Sequence, residues 1–280
     1  MKRGLKYLAT TFLIMLTLAG YLWHRLGAPH GAQKTVNTKQ IPTLFIHGYL
    51  GNRASFGLML HRFEQNGWGQ KSAVMRITKD GELKVSGNPK LPDGFIQVIF
   101  TDNTHNVTTQ ARWLWTIMST LRLKYGVKEV NIVAHSMGGV TVMRYLSLYG
   151  SASNVAQVAK VVSLGAPYND YETGKSSKEI ENLPLTKKGP KVMTPLYRKI
   201  KQHSDHISAK THFLNIMGDL QNGTHSDGEV SINSAASLRY LLRKQRYEEM
   251  IIKGKKAAHS LLHENRQIDQ KIGKFLFDAN

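Results

Sequence analysis

The stretch NIVAHSMGGVTVMRYL, residues 131–146, places one serine between an apolar run and an amphipathic run. The first run is typical of a buried strand and the second of a helix. Ala134 lies two positions before Ser136 and Gly138 two positions after it. Small residues there let a helix pack closely on a sheet, or they hold a nucleophile on a tight strand-to-helix turn. The rest of the sequence decides between these two interpretations.

Predicted strands and helices alternate along most of the chain. An alternation of this kind indicates a parallel sheet with helices on both faces. A turn at Asp80-Gly81 between two apolar runs predicts one hairpin. The predicted strands cover residues 42–46, 72–79, 82–88, 95–103, 129–134, 159–164, 211–220 and 246–254, and the main helices cover 55–67, 108–126, 137–148 and 264–277.

The N-terminal residues differ from the rest of the chain. Three basic residues precede an apolar run from Tyr7 to Trp23. This pattern, within residues 1–27, predicts a cleaved signal peptide or an uncleaved membrane anchor, and a buried helix of the domain is the alternative. Because the positive charges come first, the domain is expected outside the cytoplasmic membrane. Residues 28–40 are polar and are predicted to form a linker to one domain over residues 41–280.

The charge of the chain is strongly basic, with 38 Lys and Arg against 19 Asp and Glu. Residues 1–30 hold four of the basic residues and no acidic one, so the domain itself is basic. The excess suggests an anionic neighbour. Neither zinc-finger spacing nor an aromatic RNA-binding strand is present, so an anionic membrane or envelope surface is favoured over nucleic acid.

Two kinds of site are excluded or disfavoured by composition. The chain has no cysteine, which excludes disulfides, thiolate metal sites and a cysteine nucleophile. His203, His206, His212 and His225 lack a ligand pattern with carboxylates, so solvated histidines are expected and no metal is predicted. No organic cofactor is expected either.

The order strand, Ala-His-Ser-Met-Gly, helix matches a nucleophile elbow, with Ala134 in place of the usual first glycine. Such an elbow needs two N–H groups that stabilise an oxyanion. One is the N–H of Met137, directly after the serine. The segment FIHGYLG, after the first predicted strand, offers the second at Tyr49. The turn at Ser136 is therefore interpreted as a catalytic one.

A catalytic triad on such an elbow follows the chain order Ser, Asp, His. Asp219 ends a predicted strand, and Asp227 lies in the Asp-Gly-Glu-Val segment that follows. We favour Asp227 as the acid, with Asp219 as the alternative. His259 follows the last strand and is favoured as the base, with His263 as the alternative. His135 is interpreted as structural.

Together these segments resemble the α/β-hydrolase superfamily, and in particular a bacterial family of cell-surface α/β-hydrolases of unassigned substrate. The supporting segments are FIHGYLGNRASF, FTDN, AHSMGG, LGAPYND, GDLQNGTHSDGEVSINSA and HSLLHEN. The resemblance implies a mostly parallel sheet of about eight strands. It also implies the triad Ser136, Asp227 and His259, with Met137 and Tyr49 as oxyanion donors. Residues 171–209 are in the place where many hydrolases insert a cap after the sixth strand, and a partial lid is predicted there.

The sequence therefore predicts a serine ester hydrolase, similar to carboxylesterases and lipases, outside the cytoplasmic membrane. Its substrate would be a small-molecule or lipid ester, and a monomer is expected. The basic charge would draw anionic esters to the site, or it would only form an evenly solvated surface. A catalytically idle binding or scaffold protein of the envelope is the alternative of another class. A peptidase or acyltransferase with the same triad also remains open.

Overall fold

The computed structural model describes residues 41–171 and 180–277. The predicted leader (1–27) and the predicted linker (28–40) lie outside the described residues, so their assignments stay predictions. The strands, in chain order, are β1 (Thr43–Ile46), β2 (Gln70–Ile77), β3 (Leu83–Gly87), β4 (Gly94–Phe100), β5 (Glu129–His135), β6 (Gln157–Leu164), β7 (Leu185–Thr186), β8 (Gly189–Pro190), β9 (His212–Asp219) and β10 (Arg246–Lys253).

Six α-helices accompany these strands within the described residues. They are α1 (Gly57–Gln65), α2 (Val107–Leu123), α3 (Met137–Tyr149), α4 (Pro195–Gln202), α5 (Ile232–Ala236) and α6 (Arg266–Leu276). Short 3₁₀ turns cover Ser204–His206, Ser237–Tyr240, Lys255–Ala257 and His259–Glu264.

Eight of the strands form one sheet in the order β10-β9-β6-β5-β1-β4-β2-β3. The pair β2–β3, which is the hairpin predicted at Asp80-Gly81, is antiparallel, and the other pairs of this sheet are parallel. The prediction of a mostly parallel sheet of about eight strands with helices on both faces is confirmed. The carboxyl ends of β1, β5, β6 and β9 therefore meet along one edge of the sheet.

The central strands are buried on both faces, which explains their nearly continuous apolar sequences. Along β1, Leu44 and Ile46 contribute to one hydrophobic core and Phe45 contributes to the other. Helices α2 and α3 pack over the first core. Helices α1 and α6 cover the second. The alternation of side chains across a strand thus distributes a single apolar run between two layers.

The segment after β6 contains more regular structure than its polar sequence predicts. The small hairpin of β7 and β8 and the helix α4 lie in its described part. Thr194 caps α4 through its side chain and Pro195 occupies the first turn, a signal that the sequence carries. Tyr197 and Ile200 of α4 are fully buried in the core. Helix α4 of the predicted cap therefore packs into the domain. The lid function stays a prediction.

Gly138, at the start of α3, permits the close approach of that helix to the sheet. A Cβ atom there would lie 2.5 Å from the carbonyl oxygen of His47 and 2.7 Å from that of Ile46. These are backbone atoms of β1 and its loop, so they cannot move aside as a flexible side chain can. We expect Gly138→Ala to lower the free energy of unfolding by about 2 kcal/mol. A thermal unfolding curve that is the same for the variant and the wild type would contradict this.

Candidate active site

Ser136 lies directly between β5 and α3 in a strained conformation. Its φ is +54° and its ψ is −132°, a backbone region that residues with a side chain rarely adopt. Its N–H donates to the carbonyl of Leu164 on the neighbouring strand at 2.8 Å, and its side chain is partly exposed. Strain of this kind costs about 1–3 kcal/mol and persists only when the surrounding structure holds it. The turn predicted from the sequence is therefore a tight, strained elbow.

The loop after β1 contacts the elbow directly. A Cβ atom at Gly48 would lie 2.8 Å from Ser136 Cβ and 3.3 Å from its Oγ. The buried ring of His47 fixes this loop, since its Nδ1–H donates to the carbonyl of Gly48 at 2.8 Å and its Nε2 accepts the N–H of Phe100 at 3.1 Å. Burial lowers the pKa of His47, so the ring is neutral.

One of the two predicted oxyanion donors directly follows the serine, and the other lies in the loop that contacts it. Met137 is the first residue of α3, so its N–H has no partner within the helix. Tyr49 follows Gly48 in the loop that touches Ser136, and no hydrogen bond from its N–H is present among the described residues. Two unpaired N–H groups beside a serine hydroxyl are what an oxyanion requires.

Asp227 and His259 form a buried hydrogen-bonded pair. Asp227 Oδ2 accepts from His259 Nδ1 at 2.8 Å, and the two residues are 2% and 6% exposed. The other carboxylate oxygen, Oδ1, accepts the backbone N–H groups of Glu229 at 3.0 Å and Val230 at 2.7 Å. The N–H of His259 also donates to the carbonyl of Asp227 at 2.9 Å. The carboxylate is therefore held in one orientation and fixes the ring with Nε2 directed away from it.

The pair lies beside the elbow. A Cβ atom at Gly165, the residue that follows Leu164, would lie 2.8 Å from Asp227 Oδ2 and 3.2 Å from His259 Nδ1. The ring of His135, which precedes the serine, is centred 4.5 Å from the ring of His259. No hydrogen bond joins the Ser136 hydroxyl to His259 in the described part of the chain. Without substrate, catalytic hydrogen bonds of this type are often long.

The two alternative residues from the sequence have other partners. Asp219 accepts the N–H of Gln221 through Oδ1 at 2.9 Å, which is a local turn at the end of β9. His263 Nδ1 is 3.2 Å from Glu264 Oε1, and its ring packs against Phe56. The structure thus brings Asp227 together with His259 and places Asp219 and His263 in other contacts.

The sequence indicated only a structural role for His135, and the structure shows what that role is. His135 Nε2 donates to the backbone carbonyl of His259 at 3.1 Å. Burial, followed by the neighbouring His259 and His263 rings, holds the pKa of His135 well below its usual range, so the ring is neutral. It therefore supports His259 without a competing charge.

Arg62 of α1 holds the 3₁₀ turn that begins at His259. Its guanidinium donates to the carbonyl of His263 at 2.8 Å and pairs with Glu264 at 2.8 Å and Asp269 at 2.5 Å. No pattern in the sequence pointed to this residue, because its partners lie about 200 positions away along the chain.

The electrostatics of His259 determine the pH range in which it could act as a base. Burial disfavours the charged imidazolium, but the hydrogen bond and charge of Asp227 and the charge of Glu229 outweigh it, so the pKa of His259 lies above its usual 6.5. A general base must be neutral to accept a proton. We therefore expect kcat/KM for an ester to fall with decreasing pH and to reach half its maximum above pH 6.5. A pH-stat titration would measure this, and a midpoint below that value would contradict it.

The comparisons with known proteins decide the family. The model of the family "Alpha/beta hydrolase of unknown function (DUF915)" matches residues 30–279. The chain belongs to this family. The search of curated proteins found no match.

Solved structures show the same fold as this DUF915 member. The product of the gene lin2722 of Listeria innocua is 26% identical, with a TM-score of 0.78 over 86% of this chain and 96% of that chain. The "putative cell surface hydrolase from Lactobacillus plantarum WCFS1" is 22% identical, with a TM-score of 0.69 over 85% and 92%. A "membrane phospholipase A" is 15% identical, with a TM-score of 0.51 over 99% and 98%.

The described residues of this DUF915 member include neither a membrane-spanning helix nor a cluster of metal ligands. None of the helices within 41–171 and 180–277 is both long and apolar enough to cross a membrane. No group of three or more His, Asp or Glu side chains in those same ranges is placed to hold a metal ion.

Proposed function

We propose that this α/β-hydrolase is a serine carboxylesterase that acts outside the cytoplasmic membrane. The observation that carries the proposal is the buried Asp227–His259 pair, joined at 2.8 Å, next to a serine with φ of +54°. Backbone strain at Ser136 and burial of the Asp227 carboxylate each cost free energy, and the hydrogen bonds of the carboxylate offset the cost of its burial. Their combination at one point is typical of a catalytic site.

In the proposed mechanism, His259 Nε2 takes the proton of the Ser136 hydroxyl as its oxygen attacks the ester carbonyl. The N–H groups of Met137 and Tyr49 stabilise the resulting oxyanion. His259 then gives the proton to the leaving alcohol, and an acyl-serine remains. Water, activated by the same histidine, releases the acid. Asp227 orients the ring and stabilises the imidazolium throughout.

The location outside the membrane is supported by the N-terminal sequence, in which Lys2, Arg3 and Lys6 precede the apolar run. The similar protein of Lactobacillus plantarum is described as a "putative cell surface hydrolase", which is consistent with this location. The net charge of +19 also suits an anionic membrane or envelope surface as a neighbour.

Covalent labelling tests the proposal directly. The full chain, purified in detergent, is treated with a fluorophosphonate, and the modified peptide is identified by mass spectrometry. We expect a single adduct on Ser136, together with turnover of p-nitrophenyl acetate, butyrate or octanoate. Ser163, whose hydroxyl is buried and accepts from Tyr168 at 2.7 Å, serves as the unreactive internal control. A folded protein with neither adduct nor turnover would instead favour the scaffold alternative.

A further inference from the structure

A tight turn holds a second carboxylate next to the catalytic pair. Asp227 N–H donates to the carbonyl of Val230 at 3.2 Å, and Ser226 pairs with Ser231 as an antiparallel bridge. Gly228, with φ of +98°, reverses the chain between them. Because Asp227 Oδ1 also accepts the N–H of Glu229, the backbone of Glu229 is fixed relative to the pair.

The side chain of Glu229 extends from this turn to the open side of His259. Its Oε2 is 3.7 Å from His259 Nε2, the nitrogen opposite the one bonded to Asp227. The side chain of Glu229 is 69% exposed, so this carboxylate reaches solvent while its Oε2 lies near the buried ring of His259. Among the described residues, no lysine or arginine forms an ion pair with it.

The position of Nε2 identifies which part of a substrate meets Glu229. In the proposed mechanism this nitrogen gives its proton to the oxygen of the leaving alcohol. A carboxylate 3.7 Å from the same nitrogen is therefore within reach of the alcohol part of the ester. A negative charge there attracts a cation and repels an anion.

We propose that Glu229 makes this site selective for esters whose alcohol part carries an ammonium group. The inference rests on the proposed function, since it requires that Ser136 and His259 cleave esters. It differs from the expectation drawn from the net charge, which is that a basic surface draws anionic esters to the site. The carboxylate of Glu229 sets the preference because it lies 3.7 Å from the nitrogen that gives its proton to the alcohol, while more distant exposed charges are screened by salt.

Two substrates of the same shape test the proposal. Acetylthiocholine and 3,3-dimethylbutyl thioacetate differ by a quaternary nitrogen in place of a carbon atom. The full chain in detergent is assayed with both at a pH at which His259 is neutral. We expect the kcat/KM of the wild type at low salt to be about five-fold higher for acetylthiocholine than for the uncharged thioester, as for an exposed ion pair. The ratio of the two values should be smaller at high salt. In Glu229→Gln we expect a ratio near one.

Glu82→Gln is the matched control, since it makes the same charge change on the turn between β2 and β3. It should keep the ratio of the wild type. A wild type that cleaves both thioesters equally, or a Glu229→Gln variant that keeps the preference, would overturn the inference and leave the esterase proposal intact. If the wild type cleaves neither thioester and a fluorophosphonate fails to label Ser136, both proposals are overturned.

Discussion

Replacement of Ser136 by alanine is expected to lower kcat for ester hydrolysis by about 10⁴-fold or more, because the variant lacks the oxygen that forms the acyl-enzyme in the proposed mechanism. The same change removes no buried partner, since no hydrogen bond from the hydroxyl to His259 is present in the described residues. We therefore expect the alanine variant to fold as the wild type does. Hydrolysis of p-nitrophenyl butyrate and circular dichroism would be compared on the same preparations.

The Ser136→Gly variant distinguishes the effect of losing the hydroxyl group from the effect of relieving the backbone strain at this position. Both variants lack the nucleophile, but glycine adopts the φ of +54° without the steric cost that a Cβ atom imposes. We expect Ser136→Gly to be more stable than Ser136→Ala by about 1 kcal/mol. Thermal melting of the two inactive variants would show a higher midpoint for glycine. Equal midpoints would mean that the elbow is not strained, and turnover close to that of the wild type in either variant would mean that another group is the nucleophile.

Asp227→Asn is expected to lower kcat by about 10³- to 10⁴-fold with little change in KM. An asparagine presents either an amide nitrogen or a neutral oxygen to His259 Nδ1, so the ring loses its charged partner and its defined tautomer. Asp227 Oδ1 also accepts two backbone N–H groups, and an asparagine oxygen can keep those hydrogen bonds. Asp227→Asn should therefore lower kcat strongly and the free energy of unfolding only slightly.

Asp219→Asn is the matched control for the acid. Its Oδ1 accepts only the N–H of Gln221 among the described residues, and asparagine can make the same local turn. We expect its kcat to stay within about two-fold of the wild type, which is the scale of a surface substitution away from the site. If Asp219→Asn lost activity and Asp227→Asn kept it, the assignment of the acid would be wrong.

The elements of the fold could be predicted because their signals are local. Apolar runs marked β1 and β5, glycines ended the helices α1 and α2, and the Asp80-Gly81 turn marked the hairpin. Helix α4 was missed, although Thr194 and Pro195 carry a recognisable start signal. The helix has few apolar residues, so its sequence shows no clear helical period. That Tyr197 and Ile200 are buried is evident only from the core against which they pack.

The amino-acid sequence alone predicted the candidate residues of the site. These are a turn of small residues around Ser136, a loop after β1 with an N–H donor, and two alternatives each for the acid and for the histidine. The tertiary structure brings Asp227 and His259 together at 2.8 Å and turns Asp219 back on its own loop, and only the folded chain shows these contacts. It also decided the supporting groups, such as His135 against the carbonyl of His259 and Glu229 near its free nitrogen. Contacts between residues 30 to 124 positions apart depend on how strands align, and no local pattern encodes that alignment.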